Sequence, residues 1–413
     1  MSPRTAAVAF VPDSGEAWIR LSIVLLIGAI GAVGMWSVVV VLPAAQADFG
    51  ASRAAASLAF TLTMAGFGLG SVVTGRLCDR FGLVAAIGFG AVLTGLGYLG
   101  TAAAGSLGLF VALHAVIGLG ASATFGPLMT EAARWFDRRR GLAVTIAASG
   151  NYVGGALWPP LVSFGIEHAG WRTTNFAIGI AVMLAMGLAV WLLQRRTRGE
   201  ALRADAKAPV QRVDLRLGGN ALTAVLAVAA VACCVAMAMP QVHIVAYCGD
   251  LGYGPARGAE MLSLMMALGI VSRIGSGYLA DRIGGVPTLL IGSVAQGVAL
   301  LFYLFFTSLP SLYLISAMFG LFQGGIVPSY AIIMREALPA RDIGTRVGLV
   351  LLASVIGMSL GGWVSGVIFD MTGSYAAAFV HGLVWNAINI LICIALLLRG
   401  RRLAGVPGHA LAA

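Results

Sequence analysis

Charged residues are scarce in this chain: they make up 10% of its 413 residues, whereas hydrophobic residues make up 59%. Mean hydropathy is +0.94. A water-soluble domain normally carries about a quarter of its residues as charges, because its surface must be solvated. The scarcity of charge therefore excludes a soluble globular protein and indicates that a lipid bilayer is the solvent.

Cysteine is also sparse, and none of the five cysteines has the spacing of a metal site or of a disulfide framework. The sequence lacks a nucleophile–base pattern, and its loops are too short to hold a soluble domain, so we expect neither an enzyme nor a bound metal or cofactor. The net charge of +10 comes from short arginine clusters between apolar runs. Without interleaved aromatic residues these clusters do not form a nucleic-acid surface.

Apolar runs long enough to cross a bilayer occur in two sets of six, separated by a polar gap. The predicted spans are 18–46, 53–75, 83–104, 107–131, 141–166, 173–194, 220–247, 257–280, 286–306, 311–334, 345–368 and 376–398. The predicted fold class is therefore an all-α membrane protein with twelve transmembrane helices in two six-helix halves. The halves are 18–194 and 220–398, with an N-terminal segment 1–17, a linker 195–219 and a tail 399–413.

Orientation follows from the arginines. With the N-terminus inside, almost all of them fall on inner segments, and the outer side receives only Arg53, Arg172 and Arg257. Positively charged loops stay in the cytoplasm, and nothing before Trp18 resembles a cleaved leader. We expect both termini to be cytoplasmic. The richness in Ala, Gly and Arg is typical of a bacterial genome, which favours the inner (cytoplasmic) membrane.

A duplicated motif supports the two halves. The pattern Gly75-x-x-x-Asp79-Arg80-x-Gly82 recurs as Gly277-x-x-x-Asp281-Arg282-x-Gly284, each time at the end of an apolar helix. Two parallel repeats related by an axis along the membrane normal predict a site between them near the midplane.

The copies differ eight residues before the aspartate, where the second has Arg273 and the first has Ser71. Arg273 lies about 12 Å from the helix end, inside a hydrocarbon core about 30 Å thick. A guanidinium at such depth costs at least about 2.5 kcal/mol unless it faces a cavity, an anion or a partner. A structural role on backbone carbonyls is the alternative, but a carboxylate is the natural bidentate ligand.

Other candidate site residues are polar or aromatic groups within the spans. His243 follows Pro240 near the end of the seventh predicted helix, where it could titrate and gate a proton or an anion; the alternative is an interfacial histidine with a satisfied hydrogen bond. Polar side chains at this depth either line a cavity or form hydrogen bonds between neighbouring helices. We favour cavity lining for Asn151 and Tyr152, and both roles stay open for Gln323 and Tyr330. Trp36 shapes the pocket or is a packing residue.

The repeated Gly–Asp–Arg–Gly pattern resembles motif A of the major facilitator superfamily, although the first copy lacks the trailing basic pair. The stretch from Trp135 to Gly150 resembles the signature that enters helix 5 in the monocarboxylate transporter branch, and Asp13-Ser-Gly-Glu-Ala-Trp18 resembles a degraded form of its helix 1 signature. The resemblance implies transport by alternating access, a substrate carboxylate bound by Arg273, and an inner conformational latch formed by Asp79, Arg80, Asp281 and Arg282.

One departure affects coupling. Proton-coupled members of the branch carry an aspartate one turn before the arginine, and here Gly269 stands in that place. Proton symport through His243, anion exchange of the oxalate–formate type and uniport therefore stay open. A drug–proton antiporter is less favoured, because helix 5 lacks that group's Gly-Pro motif and helix 1 lacks an acidic residue. The expected partners are a small organic anion, protons and the bilayer, with no nucleic acid, and the expected state is a monomer.

Overall fold

The computed structural model describes residues 12–196, 215, 217–338 and 340–404. Most of the predicted N-terminal segment, linker and tail lies outside these residues. The described chain is helical, and its helices are α1 Gly15–Gly31, α2 Val33–Phe49, α3 Arg53–Phe81, α4 Leu83–Ala102, α5 Leu107–Ala121, α6 Gly126–Trp135, α7 Arg140–Arg196, α8 Gly219–Asp250, α9 Pro255–Ile283, α10 Gly285–Phe305, α11 Leu309–Gln323, α12 Ile326–Ala337, α13 Ala340–Thr372 and α14 Tyr375–Ala404.

Within the described residues, eleven helical stretches are long and apolar enough to cross a membrane, and one of them, Gly141–Gln194, has 54 residues. A straight helix of that length would measure about 80 Å, far more than a bilayer. Gly170 interrupts it with φ 76° and ψ 160°, a conformation that glycine adopts without strain. The long stretch therefore holds two spans, which agrees with the predicted total of twelve.

The described residues form two compact units. Those of the first fall within Met1–Ala51 and Leu62–Lys207, and those of the second within Ser52–Thr61 and Ala208–Ala413. In each unit the first long span is apolar all round and largely buried: Gly15–Phe49 in the first and Gly219–Asp250 in the second. Such a helix lies at the centre of its bundle.

The repeat predicted from the sequence is visible in the packing inside each unit. A Cβ added to Gly118 would lie 2.0 Å from the carbonyl oxygen of Thr63, and a Cβ added to Gly320 would lie 2.3 Å from that of Met265. Both glycines let two helices of one unit approach backbone to backbone, as small residues do in membrane bundles. The turns after the duplicated motif also match, because Gly82 and Gly284 have φ of 84° and 86°.

Candidate functional site

Arg273 lies on α9, half-buried, where the helix packs against the interruption between α11 and α12. A Cβ on Gly324 would lie 2.2 Å from the carbonyl oxygen of Gly269 and 3.1 Å from the backbone nitrogen of Arg273, and a Cβ on Gly325 would lie 2.1 Å from the Ser276 side chain. Two consecutive glycines are therefore needed for this approach. The contact fixes the backbone that carries Arg273.

Gln323 ends α11 directly before these glycines and is fully buried. Its Oε1 accepts a hydrogen bond of 2.5 Å from Nε2 of Gln241 on α8. Its own Nε2 is buried and has no hydrogen-bond partner among the described residues. The unused Nε2 donor of Gln323 therefore stands directly before Gly324, the glycine that contacts the Arg273 backbone. Helix α12 begins at Ile326, three residues after Gln323, and its first backbone amides have no partner within the helix.

The equivalent region of the first unit is built differently. Ser71 stands where the second unit has Arg273, and its hydroxyl donates to the Phe67 carbonyl at 2.8 Å. The break between α5 and α6 carries Ser122 and Thr124, whose hydroxyls donate to carbonyls three residues earlier at 2.6 and 2.8 Å. These hydroxyls satisfy themselves locally, so this break presents neither a cation nor a long amide donor.

Two predicted site residues of the first unit are brought together. The indole Nε1 of Trp36 donates to Oδ1 of Asn151 at 3.3 Å. The amide nitrogen of Asn151 lies 3.2 Å from the Met35 sulfur, a weak acceptor. Tyr152 follows on α7 and is half-buried. Asn151 therefore keeps a donor that a stronger acceptor could engage.

His243 lies inside α8, which continues to Asp250, and it is 1% exposed. Its Nε2 lies 2.7 Å from the carbonyl oxygen of Gly362, and its Nδ1 lies 3.4 Å from the hydroxyl of Tyr375. A carbonyl can only accept, so Nε2 carries the proton and Nδ1 accepts from the tyrosine. The ring is hydrogen-bonded inside the second unit, and a role in proton movement stays a prediction.

Tyr330 is buried on α12 and donates to Oδ1 of Asn389 at 3.2 Å. The Asn389 amide nitrogen in turn donates to the Ser293 hydroxyl at 2.7 Å. These bonds connect α12, α14 and α10 within the second unit. Two roles were left open for Tyr330. Its contacts are those of a residue that bonds neighbouring helices, and contact with substrate stays a prediction.

The four predicted latch residues are exposed at the C-terminal ends of α3 and α9. Neither Asp79 nor Asp281 makes a hydrogen bond or an ion pair with any residue that the structure describes. Arg282 bonds to the hydroxyl of Tyr278 on its own helix. The latch stays a prediction.

A buried ion pair in the first unit was not predicted. Nε and NH2 of Arg20 lie 2.8 and 2.6 Å from Oε1 of Glu131, and the indole nitrogen of Trp135 donates to the same oxygen at 2.9 Å. Arg20 is 3% and Glu131 7% exposed, and the guanidinium stacks 4.3 Å from the Trp135 ring centroid. In the sequence Arg20 is one of the inner arginines, and nothing local marks its partner on another helix.

The two stretches that resemble the monocarboxylate transporter branch meet in the first unit. The Asp13 carboxylate accepts the backbone amides of Arg138 at 3.0 Å and of Asp137 and Arg139 at 3.2 Å. Asp13 has φ 56°, a left-handed conformation that aspartate tolerates better than most residues. The hydrogen bond from Arg138, followed by those from its neighbours, lowers the pKa of Asp13.

A family model described as Major Facilitator Superfamily matches residues 24–309 and 261–410. Monocarboxylate transporter 13 of Bos taurus is 29% identical over 389 residues, covering 89% of this chain and 86% of the relative; monocarboxylate transporter 11 of Mus musculus is 26% identical over 392 residues, covering 92% and 86%.

Among solved structures, a bacterial homolog of the human lysosomal transporter Spinster, in an inward-facing and unoccupied conformation, superposes with a TM-score of 0.74. The match covers 96% of this chain and 100% of that chain at 15% identity. It supports the fold of both units and carries no information about substrate.

Proposed function

Because the chain belongs to the major facilitator superfamily, we propose that it is a secondary transporter that moves small organic anions, in the first place monocarboxylates, across the membrane by alternating access. The substrate carboxylate binds Arg273. Asn151, Tyr152, Trp36, His243, Gln323 and Tyr330 contribute to the site or its coupling, and Asp79, Arg80, Asp281 and Arg282 form the inner latch. The proposed location is a bacterial inner membrane, with both termini in the cytoplasm.

One observation carries the proposal. Arg273 is a half-buried guanidinium in the middle of an apolar span, at a position where the first unit has serine. Its backbone is packed against a helix break that holds a buried amide donor. A cation on one helix and a neutral donor at the helix break against which it packs favour, in a low-dielectric region, a small anion with more than one acceptor atom. The names of the monocarboxylate transporter relatives agree with this chemistry.

Anion exchange is the second candidate, and Gly269 favours it. Because residue 269 is glycine, it supplies no carboxylate that could neutralise the Arg273 charge while the empty carrier returns across the membrane. An empty carrier would then reorient slowly, and anion on the opposite side would accelerate uptake. Proton symport instead requires a titrating group such as His243, and it predicts uptake that rises as external pH falls through about 6.5.

The test is uptake of labelled short monocarboxylates into proteoliposomes. Arg273→Lys keeps the charge but loses the planar fork, so we expect at least a tenfold loss, equivalent to about 1.4 kcal/mol. Arg257→Lys is the matched control, because Arg257 lies on the same helix but is exposed, in an i,i+3 pair with Glu260. Wild-type uptake by Arg273→Ala at equal incorporation would exclude the proposed role.

The same vesicles separate the coupling modes. Uptake is measured with and without internal carboxylate across a range of external pH. Strong acceleration by internal anion with a flat pH profile establishes exchange, and a rise at acidic pH without such acceleration establishes symport. His243→Gln should flatten an acidic rise and leave binding intact.

A further inference from the structure

Two fully buried amide side chains in the second unit each keep an oxygen without a hydrogen-bond partner. Gln296 on α10 is 0% exposed, and Asn386 on α14 is 1% exposed. Oε1 of Gln296 and Oδ1 of Asn386 have no partner among the described residues. Buried polar groups in a membrane bundle are normally satisfied, because the bilayer core offers no water to replace a missing bond. The two oxygens therefore indicate a place where something else binds.

The orientation of both amides is fixed by backbone carbonyl groups. Nε2 of Gln296 donates to the carbonyl of Cys233 on α8 at 3.4 Å, and Nδ2 of Asn386 donates to the carbonyl of Ser293 on α10 at 3.0 Å. A carbonyl oxygen only accepts, so each amide must turn its nitrogen toward the carbonyl and its oxygen away from it. Rotating either amide would bring two oxygens into contact. The unpaired atoms are thus acceptors.

Both amides lie against the same turn of α10. Ser293, whose carbonyl holds Asn386, precedes Gln296 by three residues, which is less than one helical turn. A Cβ added to Gly297 would lie 2.4 Å from Nδ2 of Asn386, so a glycine beside Gln296 makes room for this side chain. Helix α8 reaches the same place through Cys233. The site is therefore enclosed by α8, α10 and α14, all of which belong to the second unit.

Asn389, one turn after Asn386, adds further oxygen-bearing groups to this cluster. Its Nδ2 donates to the Ser293 hydroxyl at 2.7 Å, and its Oδ1 accepts from the Tyr330 hydroxyl at 3.2 Å. Ser293, Asn389 and Tyr330 are each at most 1% exposed. The cluster thus consists of buried, neutral groups in which amide oxygens are left over.

The leftover groups decide the class of ligand. An anion does not fit, because the unpaired atoms are acceptors. A divalent cation needs carboxylate ligands to offset its charge in a low-dielectric interior, and the oxygens of this cluster belong to amides, hydroxyls and carbonyls. Neutral oxygens of this kind replace the hydration shell of monovalent cations in channel filters. A dehydrated monovalent cation therefore fits the cluster.

We propose that Gln296 and Asn386 bind a monovalent cation, in the first place Na⁺, and that Ser293 and Asn389 hold the two amides in place. The cation site is joined to α12 through Tyr330, and α12 begins at the glycine break that packs against the Arg273 backbone. Bound Na⁺ therefore steadies α12 and raises the affinity of the carboxylate site. This second effect rests on the proposed transport function.

Thermal unfolding of the purified protein tests the cation site without transport. In NaCl we expect an unfolding temperature about 3 °C higher than in choline chloride at equal ionic strength, because a ligand that binds only the folded state stabilises it. Gln296→Leu and Asn386→Leu should each lose the difference between the two salts. Equal unfolding temperatures of the wild-type protein in both salts assign the cluster to a buried water and overturn the proposal.

Asn175→Leu is the matched control. Asn175, on α7 in the first unit, is 1% exposed, donates to the Thr101 hydroxyl at 3.2 Å and keeps an unpaired Oδ1. Among the described residues of the first unit this is the sole orphan amide oxygen, so the variant should keep the full effect of Na⁺. Each variant is compared with itself in two salts, so a change in its basal stability does not alter the outcome. A loss of the Na⁺ effect in Asn175→Leu contradicts the proposed location.

Propionate titrations test the connection to the carboxylate site. The wild-type protein should bind propionate at least threefold more tightly in NaCl than in choline chloride, and propionate should tighten Na⁺ binding by the same factor, because linkage is reciprocal. Asn386→Leu should bind propionate equally well in both salts. Equal propionate affinities of the wild-type protein in the two salts overturn the connection, even where Na⁺ still raises the unfolding temperature.

These readouts separate the cation site from the proposed substrate site. If Arg273→Ala leaves carboxylate binding and uptake unchanged, the substrate proposal fails, and the effect of Na⁺ on unfolding still tests the cation site. If NaCl has no effect on unfolding while Arg273→Ala abolishes propionate binding, the cation site fails and the substrate site stands.

Discussion

The two units repeat the same helix break with different chemistry. In the first unit, Ser71 and the break residues Ser122 and Thr124 return their hydroxyls to nearby carbonyls. In the second, the equivalent place holds Arg273, two glycines and the buried amide of Gln323. A duplicated fold thus keeps its packing in both copies while only one copy concentrates donors. This difference at the break is why the proposed carboxylate site centres on Arg273 of the second unit, with Asn151, Tyr152 and Trp36 as the first unit's proposed contribution.

The largest expected effect is on stability in the first unit, at the buried pair of Arg20 and Glu131. Glu131→Gln leaves a buried guanidinium without its counter-charge, and breaking such a pair costs about 3–5 kcal/mol. Arg20→Met/Glu131→Leu removes both charges and should recover most of the loss. Thermal unfolding in detergent measures both variants. Equal destabilisation by the single and the double variant would show that shape, and not charge, matters there.

The glycine break should give the next effect. In Gly324→Ala the added Cβ would lie 2.2 Å from the backbone carbonyl oxygen of Gly269. Because this atom belongs to the backbone, it cannot move aside as a side chain could, so we expect the free energy of unfolding to fall by about 1–3 kcal/mol. Weaker propionate binding should accompany it, because the backbone of Arg273 shifts. Gly275→Ala, with nothing within 4 Å, is the control on α9. If both variants unfold at the same temperature, the close approach of α9 to the break is wrong.

Gln323 tests whether the unused donor serves the substrate. Gln323→Leu removes the unused Nε2 donor together with the oxygen that accepts from Gln241. The lost acceptor should cost about 1–3 kcal/mol of stability, and propionate binding should weaken by about 1 kcal/mol, roughly fivefold. Asn175→Leu is the control, because Asn175 is nearly as buried and bonds only to Thr101. Titration of the purified variants with propionate gives the answer. Unchanged affinity in Gln323→Leu would assign the amide to packing.

The smallest effect concerns Asp13, which joins the start of α1 to the turn before α7. Its pKa is lowered in the folded protein, so its stabilisation is fully present above the unfolded value near 3.9 and is lost as pH falls through the folded value. Asp13→Ala should lower the unfolding temperature slightly at neutral pH and have no effect at acidic pH below both values. A difference that persists undiminished in acid would contradict a role for the charge.

The length of the apolar runs was enough to predict the twelve spans, because a bilayer imposes length and polarity on each helix. The duplicated Gly–Asp–Arg–Gly pattern was enough to predict two equivalent units, and the packing of Gly118 and Gly320 confirms the equivalence. The break at Gly170 also fell where the polar gap between two apolar runs indicated. These features are local, so the sequence alone reveals them.

The site could be predicted only in part. Arg273 stood out because a deep charge is rare, whereas the pairing of Gln241 with Gln323 depends on helices that meet only in the folded unit. Arg20 and Glu131 are 111 residues apart, and each resembles an ordinary inner charge. His243 was predicted near the end of its helix, but α8 continues to Asp250 and the ring is bonded on both nitrogens. Contacts of this kind depend on packing, which local pattern does not specify.

The most direct test of the central claim is the preference for a carboxylate over its neutral amide. Propionate and propionamide differ in charge but hardly in size, so their affinities for the purified protein, measured by calorimetry, isolate the charge that Arg273 is proposed to recognise. We expect the wild-type protein to bind propionate at least tenfold more tightly than propionamide, and we expect Arg273→Met to lose this preference while Arg257→Met keeps it. A carboxylate preference that survives in Arg273→Met would exclude Arg273 as the group that binds the carboxylate.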